Sequence, residues 1–92
     1  MAQTYIMEIP GMTQQQYDKV MDLLQVNGSS PQGQLFHVAG PIENGWCVVD
    51  VWESQEAFEH YFQEKLGQAL QEAGSPSFQP KVVPVHNFLE HA

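Results

Sequence analysis

The stretch QLFHVAGPIENGWCVVDVWESQEAFEHYF, residues 34–62, decides the fold. Its apolar runs, turn residues and capping serine predict a strand, a tight turn, a longer strand and the start of a helix. Asn44-Gly45 between two apolar runs is the strongest short-range signal for a β-hairpin, because a type I′ turn needs positive φ at both central residues. We therefore expect a hairpin whose turn contains this pair.

Two registers of this hairpin are open. With Asn44 and Gly45 as the central residues, His37 faces Trp52, whereas a four-residue loop puts His37 directly opposite Asp50. Both registers give the same two faces, because side chains alternate along a strand. One face carries Leu35, His37, Ala39, Trp46, Val48, Asp50 and Trp52, and the other carries Phe36, Val38, Cys47, Val49 and Val51. Both faces are rich in apolar side chains, so both need to be covered.

Residues 3–9 alternate and predict a first strand, which ends at Pro10-Gly11. Thr13, with Gln16 three residues later, is a capping-box pattern at the start of a helix. One apolar stripe with helical spacing follows, formed by Tyr17, Val20, Met21 and Leu24. The helix is predicted to end near Val26, with a polar loop over residues 27–33.

Ser54 is placed to cap a second helix, whose buried stripe is Phe58, Phe62, Leu66 and Ala69 or Leu70. Gly67 interrupts this stripe and predicts a break or kink, and Gly74-Ser75-Pro76 ends the helix. Residues 80–89 predict a last strand. Pro84 within it favours an edge position or a bulge, because proline has no N–H to donate to a neighbouring strand.

The predicted order is βαββαβ in a single domain of residues 1–92. Short connections and right-handed crossovers convert this order into a four-stranded antiparallel sheet with both helices on one face, the ferredoxin-like α+β arrangement. The opposite face would expose an apolar patch larger than soluble monomers normally show. A second subunit packed sheet to sheet, giving a homodimer, is the simplest cover.

The overall charge excludes some classes of partner. Three basic residues against eleven acidic ones give a net charge of −8, which repels nucleic-acid backbones and anionic lipid surfaces. A single cysteine fits a reducing compartment. No apolar run is long enough for a membrane span, and the N-terminus lacks the basic start of a signal peptide. We expect a cytoplasmic protein that binds neither nucleic acid nor membrane.

Four segments carry a resemblance to a known family: PGMTQQQYD (10–18), LFHVAGP (35–41), GWCVVDVWESQEAFEHYF (45–62) and VPVHNF (83–88). Together they resemble small members of the dimeric α/β-barrel superfamily, relatives of the antibiotic-biosynthesis monooxygenases. The resemblance implies a homodimer whose two sheets form a barrel. It also implies two chemistries, since some relatives oxidise aromatic polyketides without metal or flavin and others cleave haem.

The haem-cleaving branch fits this sequence poorly. Its members keep an Ala-His pair late in the second helix, where the histidine ligates iron, and a tryptophan earlier in that helix. Aligned through VWES, this chain has Ala69-Leu70 at the first place and His60 near the second. The resemblance therefore points away from haem, and we expect no cofactor.

His37 and Asp50 are the candidate catalytic residues, because they share one face across a strand pair. A carboxylate beside an imidazole fixes its tautomer and raises its basicity, as a general base acting on a phenol-like substrate requires. A buried pair that only specifies register or the dimer face is the structural alternative. Trp46 and Trp52 on the same face, with His86 in the last strand, are candidate ligand-binding residues, and core or interface packing is the alternative for the tryptophans.

No metal site is expected. Glu56, His60 and Glu64 share a helix face, but that face points away from the apolar stripe and fits solvated charge better. Cys47 lies in mid-strand with no basic neighbour, which is typical of a small buried apolar residue.

Two functions from different classes remain. The first is a dimeric α/β-barrel protein that holds a small aromatic or apolar molecule and, if it is an enzyme, acts as a cofactor-independent monooxygenase. The second is a non-catalytic dimeric binding or interaction module. A cavity reached by His37 or His86 favours the first, and a face filled by tryptophan side chains favours the second.

Overall fold

A computed structural model describes residues 1–24 and 31–89. The strands are β1 (Gln3–Pro10), β2 (Gln34–Ile42), β3 (Gly45–Trp52) and β4 (Lys81–Pro84). The helices are α1 (Gln14–Leu24), α2 (Gln55–Tyr61) and α3 (Gly67–Glu72), with a π-helical turn (Phe62–Leu66) between the last two. The predicted helix end near Val26 and residues 27–30 of the predicted loop lie outside the described residues.

The four strands form one antiparallel sheet in the order β2-β3-β1-β4. This is the strand order of the predicted ferredoxin-like fold, which is confirmed. The helices cover one face of the sheet and pack on a cluster of buried side chains, namely Tyr5, Met7, Ile9, Val20, Leu24, Val48, Trp52, Phe58 and Ala69. No helix in the described ranges is both long and apolar enough to span a bilayer.

The hairpin adopts the second of the two predicted registers. Ile42 pairs with Gly45, so the turn is formed by Glu43 and Asn44, and His37 lies directly opposite Asp50. The other alternative, with Asn44 and Gly45 as the central residues of a type I′ turn, is wrong, because of these two residues only Asn44 takes positive φ (62°). The β2 ladder also shifts register at Leu35, which is half exposed rather than packed beside His37.

Gly45 is required for a different reason. It pairs with Pro10 of β1, and a Cβ atom built on it would collide with the carbonyl oxygen of Ile9 and lie 3.0 Å from the Cα of Pro10. The glycine therefore permits a close approach of two backbones.

The starts of α1 and α2 are capped as predicted. The Thr13 N–H donates to Oε1 of Gln16 (3.0 Å) and the Gln16 N–H donates to Oγ1 of Thr13 (3.1 Å), which is a complete capping box. The Ser54 side chain accepts a 3.0 Å hydrogen bond from the N–H of Ala57. These caps fix where each helix leaves the sheet.

The second helical segment runs without a break through residues 55–72. The irregularity predicted at Gly67 is a π-helical turn just before it, closed by the Gly67 N–H donating to the Phe62 carbonyl five residues earlier. A Cβ on Gly67 would lie 3.1 Å from that carbonyl and 3.2 Å from the Phe62 ring. Glycine thus lets the turn widen while Phe62 stays packed against it.

The last strand is shorter than predicted. It covers Lys81–Pro84 rather than residues 80–89, because Pro84 has no N–H with which to extend the ladder. Its predicted edge position is confirmed. Beyond it, the Val85 N–H donates to the carbonyl of Ala2 and the Phe88 ring packs edge-on against Phe36.

The face of the sheet away from the helices, the outer face, remains apolar and partly open. Phe36 is 43% exposed and Val38 49%, both on β2, and Val83 of β4 is 40% exposed. Since β2 and β4 are opposite edges of the sheet, the contact between Phe88 and Phe36 takes the C-terminal segment across this face. The segment covers only part of it.

Gly45→Ala is expected to destabilise the protein by about 1–3 kcal/mol, because its methyl group must displace the β1 backbone. Gly40→Ala is the matched control, since a Cβ at Gly40 meets nothing within 4 Å. Urea denaturation of both variants checks the difference. Equal stabilities for the two would contradict the close approach at Gly45.

Candidate functional site

His37 and Asp50 are in direct contact, in agreement with the prediction that they share one face of the hairpin. They face each other across β2 and β3, and Nδ1 of His37 lies 2.6 Å from Oδ1 of Asp50. The Asp50 side chain is only 5% exposed and that of His37 26%. A buried carboxylate must be paired or hydrogen-bonded, so this contact is a condition for Asp50 to occupy the core.

Tyr17 extends the pair into a chain of three groups. Its hydroxyl lies 2.6 Å from Nε2 of His37, on the side of the ring opposite Asp50. In a neutral ring, Nδ1–H donates to the carboxylate and Nε2 accepts from the tyrosine hydroxyl. We call Tyr17, His37 and Asp50 the polar triad; it can move a proton from the tyrosine end toward the carboxylate.

The two tryptophans support the polar triad from either end. Trp52 is fully buried, and its Nε1–H donates a long 3.4 Å hydrogen bond to Oδ2 of Asp50. Trp46 packs against Tyr17 with ring centroids 5.5 Å apart. Asp50 therefore has a partner for each carboxylate oxygen, and the ring of Tyr17 is held beside that of His37.

The polar triad forms part of the wall of a cavity of about 410 Å³ between the sheet and the helices. The remaining wall is mainly apolar, and it includes Met7, Ile9, Met12, Val20, Met21, Leu24, Val48, Leu66, Leu70 and Phe78. Tyr61 adds a second tyrosine to this wall. Such a cavity, apolar with a few convergent polar groups, is typical of a small-molecule site.

Burial and nearby charge act on both tyrosines of the cavity. Burial, followed by the charges of Asp50 and Asp18, raises the pKa of Tyr17 above 10.0. Burial, followed by the charge of Asp50, likewise raises the pKa of Tyr61. Both hydroxyls therefore keep their protons at neutral pH and are able to donate a hydrogen bond.

The three residues predicted to bind a ligand do not lie in the cavity wall. Trp46 and Trp52 touch Tyr17 and Asp50, and neither is part of the cavity wall. His86 is exposed and follows β4 instead of lying within it. The chain does not bring these three residues to the cavity by itself, and their role in binding stays a prediction.

Two functional candidates escaped the sequence analysis. By its spacing Tyr17 belongs to the apolar stripe of α1, and no sequence pattern marks Tyr61. Tyr17 is the only member of its stripe with a hydroxyl, which is a weak signal. Its partner depends on how α1 packs on β2, which no local pattern reports.

The candidate metal ligands do not form a cluster. His60 and Glu64 make an exposed contact of 3.4 Å. Within residues 1–24 and 31–89, no three His, Cys, Asp or Glu side chains are arranged to hold a metal ion.

His37→Phe is expected to lower the free energy of unfolding by about 1–3 kcal/mol, because it leaves Oδ1 of buried Asp50 without its partner. His60→Phe, at an exposed position, is the matched control and should change stability by less than about 0.5 kcal/mol. Thermal melts of both, with Asp50→Asn and the double variant, measure the coupling between His37 and Asp50. Additive effects would show that the contact contributes nothing.

Solved structures of low sequence identity share this fold. A candidate antibiotic biosynthesis monooxygenase from Chloroflexus aurantiacus J-10-fl has a TM-score of 0.71 at 15% identity, covering 98% of each chain. A variant of SnoaB, a cofactor-independent oxygenase from Streptomyces nogalater, has a TM-score of 0.68 at 9% identity, also over 98% of each chain. A candidate antibiotic biosynthesis monooxygenase from Deinococcus radiodurans has a TM-score of 0.64 at 9% identity, covering 100% of this chain and 99% of that one.

No protein-family model matches the chain, and no curated protein matches it. At these identities the similarity establishes the fold and leaves the activity to be argued from the site. The chain therefore has the fold of the dimeric α/β-barrel proteins that resemble antibiotic biosynthesis monooxygenases, as the sequence predicted.

Proposed function

We propose that this protein binds an aromatic or apolar small molecule and oxidises it as a cofactor-independent monooxygenase. The observation that carries the proposal is the polar triad in the wall of an apolar cavity of about 410 Å³. The fold similarity to SnoaB, a cofactor-independent oxygenase, supports the same function.

The polar triad supports removal of a proton from a weakly acidic ligand. The Tyr17 hydroxyl can accept the ligand's proton as it passes its own to Nε2 of His37. Asp50 holds the ring by Nδ1–H and stabilises the imidazolium that forms. No free tyrosinate is needed, which matters because the pKa of Tyr17 is raised.

The proposed reaction needs no reductant besides the ligand, because the deprotonated ligand itself supplies the electrons that reduce O2. A ring methylene activated by a carbonyl loses a proton to the polar triad, and the resulting carbanion reduces O2. One oxygen atom becomes a new carbonyl on that carbon, and the other leaves as water with the two hydrogens of the methylene. The ligand carbon is oxidised, O2 is reduced, and no further reductant is required.

The cavity favours this function over a non-catalytic interaction module. An interaction module needs no space behind His37, whereas here His37, Tyr17 and Asp50 all reach a volume that can hold a ring compound. The tryptophans pack beside the polar groups and do not fill the cavity.

A homodimer is part of the proposal. The outer face exposes Phe36, Val38 and Val83, and the C-terminal segment covers only part of it. A second copy packed against this face would bury an apolar interface above ~1,200 Å², the size expected of a stable assembly. The resemblance that the sequence carries implies the same pairing of sheets.

Anthrone, a three-ring compound with one acidic methylene opposite a carbonyl, is a suitable probe. We expect the wild-type protein to speed its conversion to anthraquinone, with one O2 consumed per molecule. Tyr17→Phe and His37→Phe should each lower this rate about 10²–10⁴-fold, the usual contribution of a general base. An oxygen electrode and product absorbance measure both quantities.

His60→Phe should keep the wild-type rate, since His60 is exposed and lies outside the cavity wall. Tight binding of anthrone without oxidation would support the non-catalytic binding module instead. Equal rates for wild type and both triad variants would remove the catalytic role of the polar triad.

Val38→Glu is expected to convert a dimer into monomers, because it places a charge in the outer face. Leu23→Glu is the control, since Leu23 is a similarly exposed apolar residue (40%) on α1. Sedimentation velocity at low micromolar concentration separates the two species. A wild-type protein that sediments as a stable monomer would refute the dimer.

A further inference from the structure

The hydroxyl of Tyr61 is buried and has no hydrogen-bond partner among residues 1–24 and 31–89. Buried hydroxyls in folded proteins are nearly always hydrogen-bonded, so such a group requires an explanation. The Tyr61 ring packs against Trp52 with centroids 5.4 Å apart, and Tyr61 belongs to the cavity wall. A residue of the cavity wall therefore carries a buried hydroxyl with no partner in the described residues.

The position of this hydroxyl relates it to the polar triad. Tyr61 packs on Trp52, and the Nε1–H of Trp52 donates to Asp50, so Tyr61 lies at the Asp50 end of the polar triad. The Tyr17 hydroxyl is engaged with His37, whereas that of Tyr61 is unengaged. The cavity thus offers one proton-transfer group and one separate donor.

The π-helical turn explains how Tyr61 reaches the cavity. Tyr61 is the last residue before this turn, and a π turn brings residues five positions apart toward the same side. Tyr61 and Leu66 are such a pair, and both line the cavity together with Leu70. π turns within α-helices are frequent at functional sites, and this one shapes the cavity wall.

We propose that the Tyr61 hydroxyl donates a hydrogen bond to an acceptor oxygen of the ligand. The site then selects apolar ring compounds with two features: an acidic C–H or O–H facing the polar triad, and a carbonyl-type oxygen facing Tyr61. This inference rests on the proposed function, because it concerns the same cavity and names its substrate class.

Anthrone and dihydroanthracene are a matched pair of probes, because they share the three-ring frame and differ in the carbonyl oxygen. Binding is measured without O2, by quenching of tryptophan fluorescence, so that turnover does not interfere. The wild-type protein should bind anthrone about tenfold more tightly than dihydroanthracene, the size of one net hydrogen bond. Tyr61→Phe should lose this preference and keep its affinity for dihydroanthracene.

Tyr5→Phe is the matched control. The Tyr5 hydroxyl is also buried without a partner in the described residues, but Tyr5 does not line the cavity. This variant should keep the wild-type preference. Both variants should melt at or above the wild-type temperature, because each loses only an unpartnered hydroxyl, and a melt therefore separates lost binding from lost folding.

The outcomes distinguish failure of this inference from failure of the proposed function. A Tyr61→Phe variant that still prefers anthrone, or a wild type that binds both probes equally, would overturn the role of Tyr61 and leave the proposed function standing. A Tyr5→Phe variant that loses the preference equally would also overturn it. A wild type that binds neither probe would overturn the proposed function, and this inference with it.

Discussion

The hydrogen bond between Asp50 and His37 is the interaction on which the rest of the structure depends. A carboxylate in mid-strand, facing the helices, would be strongly destabilising without a partner. The β2–β3 register supplies that partner directly opposite, and a slip by one residue would turn His37 to the other face of the sheet. The pair therefore fixes the register of the hairpin, and the hairpin in turn sets the position of the outer face, the capped helix after Ser54 and the cavity.

The same pair shows how stability and chemistry can share residues. Asp50 is satisfied by His37 and Trp52, and His37 by Asp50 and Tyr17, so each member of the polar triad is held by the next. Such a network is rigid only while it is complete. A site built this way is pre-organised, because its donors and acceptors are in place before a ligand arrives.

The sequence predicted the fold well because its strongest signals are local. The capping patterns at Thr13 and Ser54, the strand alternation and the edge-strand proline each act over a few residues, and all appear as predicted. Of the two registers left open, the one with Asn44 and Gly45 as central residues is wrong, because Gly45 serves a contact with β1, which lies far away in the sequence. Only the tertiary structure separates a glycine needed for positive φ from one needed for close approach.

Only part of the site could be predicted from the sequence, because only part of it depends on local signals. His37 and Asp50 lie on neighbouring strands, where alternation alone brings them to one face. Tyr17 and Tyr61 come from two helices, and their meeting depends on helix packing and on a π turn that the spacing around Gly67 signalled only as an irregularity. Strand alternation puts both tryptophans on the correct face, whereas their packing against Tyr17 and Asp50, away from the cavity wall, is set by tertiary contacts.

The engagement of both His37 ring nitrogens has a consequence for the fate of a proton taken from a ligand. Nε2 is bonded to Tyr17 and Nδ1 to Asp50, whose other oxygen is occupied by Trp52. Both ring nitrogens are thus hydrogen-bonded within the polar triad, and the Asp50 side chain is only 5% exposed. In the proposed reaction, a proton taken up by the polar triad would stay beside the ligand. That proton would be the nearest one available to reduced oxygen, so the water released would carry hydrogen that came from the substrate.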